Sequence, residues 1–311
     1  IDKFHEKHGI LYSNPKNEQI EWDYQTLETH GIKCRVDHEN KINVLLQQSF
    51  YLNFKLAQKT IIQCANLFHD NNYKVVVIES LNTGGYAYLS ILLSQLLQVK
   101  IQNREYEAFK PNSYLGESYN QNPDSYMNPY TCKPYNDLED FLNGTIANYS
   151  TETEEIIHYK TKIVDIAGLY GRLFIASLRK ELYQKDLKKS TDIIIFTDSF
   201  SYSATSTFIK NLQNVGGAIT VGYNGNPYLP DDVFDSSQSP SSVTSFNGTQ
   251  EYNNLKNLGF QVDGITYGET FEEDYKTNPI PREYKLDPVD YRSDIYESYS
   301  EDNYQTFINK A

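Results

Sequence analysis

The sequence predicts an α/β fold with a largely parallel sheet, and three observations carry that expectation. Residues 75–78 (VVVI) and 193–196 (IIIF) are short, wholly apolar runs, as expected of strands covered on both faces. Each run passes through a turn of small residues into a helical pattern. A third strand, in AITVGY at 218–223, follows the second helix and completes a βαβ-like unit.

Residues 1–41 are mixed and polar, and read as an N-terminal lead-in or the trailing end of a preceding domain. The main domain is expected over 42–311. It opens with a strand near 42–47, a helix at about 54–70, the strand 75–78 and an Asn82-Thr83-Gly84-Gly85 turn. A helix marked by Leu89, Ile91, Leu92, Leu96 and Leu97 comes next. Residues 101–162 are rich in Tyr, Asn and Pro and too long for a connection, so a functional insertion near the site is expected there. Its tyrosines read as packing on the domain rather than stacking on a peptide. A helix is expected near 163–186, then the strand to Phe196, its turn, and a helix from Ala204 to about 213. The Ser/Pro/Asp-rich run PDDVFDSSQSPSSV follows the third strand.

Composition bounds the function. The 311 residues include 27 Tyr and 15 Phe, enough apolar material for a core in one large domain or two small ones. A net charge of −13 argues against nucleic acid and against an anionic membrane surface. No apolar run is long enough to cross a bilayer. Cys34, Cys64 and Cys132 fit one disulfide plus a thiol, or three reduced thiols. Asn143, Asn148 and Asn247 head glycosylation sequons, the first two in a polar stretch expected to be an exposed loop. A secreted or vacuolar chain is expected, and its start at Ile1 reads as a processed product.

Two segments suggest chemistry. In IFTDSFSYSATSTFI (195–209), Ser203 stands where a strand hands over to a helix. A hydroxyl there projects from a sharp turn beside the helix's free N–H groups, which suits a nucleophile next to an oxyanion hole. The competing reading is that Ser201, Ser203 and Thr205 only cap the helix. In KVVVIESLNTGGY (74–86), the paired glycines let backbone amides approach a reacting group.

Together these segments resemble the S41 serine peptidases, the tail-specific or C-terminal processing proteases, and in particular their chlamydial-protease-like branch. Asn82-x-Gly84-Gly85 and Ser201-Tyr202-Ser203-Ala204-Thr205 carry the resemblance, with Thr205 where that family has Ser or Cys. Supporting matches lie at 42–53, 211–227 and 280–292, so the likeness covers about 42–100 and 165–295. It implies a ClpP/crotonase-like core of ββα units and a serine-type endopeptidase acting on peptide or protein substrates through an acyl-enzyme, without a cofactor or metal. Ser203 would be the nucleophile. Ala204 N–H, with Gly84 or Gly85 N–H, would form the oxyanion hole. The run 230–243 would border the site.

The bacterial Ser–Lys dyad is not matched, because Asn226, Pro227 and Tyr228 stand where its lysine would fall. Lys210 reads as a solvated face. The Ser–His–Glu arrangement makes Glu283 the candidate carboxylate, with Glu272 and Glu273 competing. The family's Asp-Gly-His-like segment is not in this sequence. His69 reads as surface, His38 as a turn before a strand, and His5 and His8 as a solvated pair. The general base is therefore expected from an N-terminal segment or a second chain. The alternatives are an inactive homologue that acts as a secreted binding or structural protein, and a crotonase-type acyl-CoA enzyme.

Overall fold

The two apolar runs lie side by side as parallel strands, with Val75 opposite Ile193 and Ile78 opposite Phe196. Alternate residues point to opposite faces of a strand, and here both faces are covered. Val75, Val77, Ile193 and Ile195 belong to one buried cluster, and Val76, Ile78, Ile194 and Phe196 to another. That double burial explains why neither run alternates with polar residues.

The computed structural model describes residues 20–100, 106–109, 113–121, 123–128, 131–143, 145–150, 156–165, 167–226, 228, 230–240, 242–244, 257–259, 265–271 and 281–311. In chain order it begins with β1 (Tyr24–Gln25), β2 (Ile32–Asp37), β3 (Ile42–Gln47), α1 (Phe54–His69), β4 (Lys74–Glu79) and α2 (Ala87–Leu97). β5 (Tyr106–Phe109), α3 (Ser113–Gln121), β6 (Met127–Asn128), β7 (Lys133–Pro134), α4 (Leu138–Leu142), β8 (Thr145–Ser150) and β9 (Ile156–Asp165) follow. Then come α5 (Gly168–Leu182), β10 (Ile193–Thr197), α6 (Ala204–Asn214), β11 (Ile219–Gly222), β12 (Ser242–Thr244), β13 (Ile265–Phe271), β14 (Tyr291–Arg292) and α7 (Tyr304–Lys310).

The main sheet runs β1-β2-β3-β4-β10-β11-β14. It is antiparallel from β1 to β3 and parallel from β3 onward. The chain is therefore an α/β protein with a largely parallel sheet. Helices α1, α2, α5 and α6 bury Ile61, Leu92, Ile175 and Phe208 against one face. On the other face, Tyr304, Phe307 and Ile308 of α7 join Tyr223 and Ile295. Helix α2 is buried along almost its whole length, including Ser90, Ser94 and Gln95 among its apolar residues.

Several expectations change. Within the expected lead-in, residues 32–37 pair with β3 and residues 24–25 pair with 33–34, so the main sheet extends across the expected boundary at 42. Residues 163–165 end strand β9, and helix α5 starts only at Gly168. Asp165 fixes that transition, because both of its oxygens accept from Arg172 Nε at 3.0 Å. The long insertion supplies β5 to β9 of a second, antiparallel sheet, ordered β12-β13-β5-β9-β6-β7 with β8 on β9. Tyr119 and Tyr135 pack around buried Phe141 in a small cluster of the insertion's own residues, not on the core of the main sheet.

Cys34 on β2 and Cys64 on α1 form a disulfide, and Cys132 is an exposed cysteine outside it. Asn143 is exposed at the end of α4. Asn148 sits not in a loop but in β8, opposite His158 of β9, and Asn247 lies outside the described residues.

Candidate functional site

Because β4 and β10 are parallel neighbours, the turns that follow them leave the same edge of the sheet. In open α/β sheets this carboxyl edge is where ligands are bound. The two turns are joined directly: Tyr202 N–H donates to Asn82 O at 3.0 Å.

The turn after β4 is built on Asn82, which is wholly buried. Its Oδ1 accepts from Gly84 N–H at 3.0 Å, while its Nδ2 donates to Glu79 Oε2 at 3.0 Å and to Gln47 Oε1. Gly84 and Gly85 take φ values of +93° and +140°, a region costly for side-chain-bearing residues. Gly84 O accepts from Phe50 N–H at 2.8 Å, and Phe50 O accepts from Tyr86 N–H at 3.1 Å, so the turn is stitched to the segment after β3. Gly84 N–H is therefore already satisfied, whereas the N–H of exposed Gly85 has no partner among the described residues.

The turn after β10 ends at Ser203, which precedes α6 with φ 53° and ψ −122°. A positive φ in a non-glycine residue is uncommon, and it costs of the order of 1–3 kcal/mol that the surroundings must offset. The support is visible. Ser203 N–H donates to Ser239 O at 2.9 Å, Ser201 O accepts from Gln238 N–H at 2.7 Å, and Ser206 Oγ bonds Ser237 Oγ at 2.8 Å. The run at 236–239 thus borders this turn.

Capping does not occupy the serine, since the Ser203 side chain makes no cap hydrogen bond. No described residue hydrogen-bonds its hydroxyl, and Ala204 N–H at the first helical position has no partner among the described residues. Ser201 and Thr205 are buried, and their hydroxyls also find no partner among the described residues, so they are not caps either. A half-buried hydroxyl beside an open helical N–H can act as a nucleophile with a backbone donor at hand.

Sequence reasoning passed over the acidic residues behind the turns. Asp198 Oδ2 accepts from Leu81 N–H at 2.7 Å and Oδ1 from Phe200 N–H at 3.0 Å. Burial raises the Asp198 pKa, against the lowering effect of those two amides. Glu79 is fully buried, and burial pushes its carboxyl well above the usual range; the Asn82 side chain opposes this and the Asp198 charge adds to it.

Two expectations are overturned. Lys210 is not solvated: it is 1% exposed, with Nζ 2.8 Å from Asp287 Oδ2 and 3.2 Å from Asp235 Oδ1. Burial raises the Asp235 pKa, and the Lys210 charge opposes it. His69 is not on the surface either. It closes α1 at 1% exposure, with Nε2 2.7 Å from Leu96 O and Nδ1 3.1 Å from Asp186 O. Burial lowers its pKa, against the raising effect of the two carbonyls.

Glu283 lies in a short turn whose Arg282 Nη1 donates to Asn211 Oδ1 at 3.0 Å. Asn211 is two turns along α6 from Ser203, about 12 Å by helical rise. The structure therefore brings together Ser203, Ala204 and Gly84, and seats the Glu283 segment further along the same helix. His30 and His38 are exposed. His5, His8, Glu272, Glu273 and the His158 side chain lie outside the described residues. Among the described residues no cluster of His, Cys, Asp or Glu could hold a metal, and no helix is long and apolar enough to cross a membrane.

No family model matches the chain, and no curated protein matches it. Solved structures similar to it include a lipoprotein from Streptococcus agalactiae, at 12% identity over 92% of this chain and 71% of that one, with a TM-score of 0.45. Mature CPAF complexed with lactacystin is similar at 11% identity over 93% of this chain and 55% of that one, TM-score 0.44. A photosystem II D1 C-terminal processing protease is similar at 8% identity over 81% of this chain and 42% of that one, TM-score 0.36. The chain thus spans about half the length of the two last-named structures or less.

Proposed function

We propose that this chain is the catalytic portion of an S41-like serine peptidase that hydrolyses peptide bonds through an acyl-enzyme. The observation that carries the reading is Ser203, held at φ 53° between a strand and a helix with its hydroxyl left uncapped beside Gly84. Such a strained elbow is the geometry a serine nucleophile needs.

In this mechanism Ser203 Oγ attacks the scissile carbonyl carbon and gives its proton to an imidazole. The oxyanion is held by Ala204 N–H and by Gly85 N–H, the glycine amide without a partner among the described residues. Collapse expels the amine, which takes the proton from the imidazolium, and water then hydrolyses the ester by the same steps in reverse. Loss of one oxyanion donor would cost on the order of 10²–10³ in rate. Glu283 is assigned to orient the imidazole, which an N-terminal segment or second chain supplies. The substrate is an extended peptide or protein segment.

The Cys34–Cys64 disulfide supports a secreted or vacuolar setting, because such bonds persist in oxidising compartments. Glycosylation at Asn143, Asn148 and Asn247 belongs to the same proposal.

A second reading, an inactive homologue that binds rather than cleaves, is favoured by one observation. The His69 ring nitrogens face Leu96 O and Asp186 O, and no described residue bonds the Ser203 hydroxyl. Intact-mass analysis after fluorophosphonate treatment separates the two. One adduct that disappears in Ser203→Ala supports the peptidase. No adduct, with or without added upstream sequence, favours the binder.

A further inference from the structure

Each of the two turns contains a non-glycine residue in the left-handed region, Leu81 at φ 51° and Ser199 at φ 65°. Both conformations are unfavourable unless the surroundings impose them. The same carboxylate touches both places: Asp198 Oδ2 accepts from Leu81 N–H at 2.7 Å, and Oδ1 accepts from Phe200 N–H, just after Ser199, at 3.0 Å. One bond stays within the Ser203 turn, and the other crosses 117 residues to the Gly84 turn. We infer that Asp198 is a positioning residue, whose two oxygens hold the Gly84–Gly85 turn against the Ser203 turn and so set the spacing of the site.

The chemistry of the carboxylate is specific to this task. Two N–H groups need two acceptors, and a carboxylate offers one on each oxygen. An asparagine of the same shape would turn an NH₂ group toward one of the amides, so a single bond would survive. Burial pushes the neighbouring Glu79 carboxyl upward, and the Asp198 charge adds to that shift. Asp198 does not contact substrate in this scheme; it acts through Leu81 and Phe200.

The inference rests on the peptidase reading for its catalytic consequence but not for its geometry, so the test has two arms. In the first, residue-resolved amide exchange compares the full chain with Asp198→Asn. Exchange at 81–85 and 200–204 is expected to accelerate at least tenfold, with 75–78 and 193–196 unchanged. Unchanged exchange in the turns, or a uniform rise along the sheet, overturns the inference. If the variant does not fold, the wild-type amide proton shifts decide: Leu81 and Phe200 are expected well downfield, as carboxylate-bonded amides are, and ordinary shifts overturn it. In the second arm, fluorophosphonate labelling of Ser203 per folded molecule is expected to fall about tenfold or more in Asp198→Asn, and an unchanged rate overturns the positioning role. A wild type that takes no label, with or without added upstream sequence, removes the peptidase reading, and the amide arm alone then decides on Asp198.

Discussion

Gly84 backs directly onto Ser203: a Cβ built on Gly84 would lie 2.9 Å from the Ser203 Cβ and 2.6 Å from Tyr202 O. A Cβ does not come that close to non-bonded heavy atoms, and the backbone carbonyl cannot swing away as a flexible side chain could. Gly84→Ala must also adopt φ +93°. The overlap and the left-handed backbone together are expected to cost about 2–5 kcal/mol. Urea unfolding of the variant should show that loss. Labelling of Ser203 should fall even where the variant remains folded, because the two turns must move apart.

Lys210 gives a second prediction. Lys210→Met leaves the carboxylates of Asp235 and Asp287 facing each other without their cation, and both are mostly buried. Breaking a buried pair from one side typically costs about 3–5 kcal/mol, far more than an exposed pair. Adding Asp235→Asn and Asp287→Asn to Lys210→Met is expected to recover most of the loss, measured as a denaturant midpoint. No recovery would mean that the lysine stem, not its charge, is what matters.

Two buried groups should make stability depend on pH with opposite signs. His69 has a lowered folded pKa, so the unfolded chain binds its proton first; stability is full above about 6.5 and declines as pH falls below it. Glu79 has a raised folded pKa, so the unfolded chain releases its proton first; its burden is absent below about 4.5 and grows as pH rises above it. Unfolding free energies measured from pH 4 to 8 (about the range spanning both groups) should therefore show His69→Gln losing the acid slope. Glu79→Gln should gain on the wild type as pH rises.

The Cys34–Cys64 bond joins β2 to α1 across 30 residues. Chain-entropy arguments put the stabilisation from a loop of that size at about 3–4 kcal/mol. Cys34→Ala with Cys64→Ala should lose that much in urea unfolding. A reductant should lower the wild-type midpoint and leave the double variant unmoved.

What could be read in the sequence was what is local. The runs at 75–78 and 193–196 announce a parallel sheet because burial on both faces leaves no polar alternation, and the helix starts after Tyr86 and Ser203 follow directly from their turns. The sequence marks neither Lys210 nor His69 as buried, because their partners are distant. Asp287 is 77 residues from Lys210, and Asp186 is 117 residues from His69. A lone lysine on an amphipathic helix carries no mark of burial. The same applies to Asp198, whose link to Leu81 exists only in the folded sheet. Residues 163–165 suit a helix as well as a strand in the sequence, because Ile163 and Val164 fit either period, and the Arg172–Asp165 contact exists only in the fold.

The bond between Leu81 and Asp198 also bears on how the chain folds. Closing a loop of 117 residues costs roughly 4 kcal/mol of chain entropy before any contact is gained in return. Parallel pairing of β4 with β10 carries that burden, and topologies dominated by such distant pairings fold slowly. Until that pairing forms, Gly84 and Ser203 belong to separate pieces of chain. The site therefore exists only once that long-range pairing has formed, and a chain without it holds its serine apart from the turn that backs it.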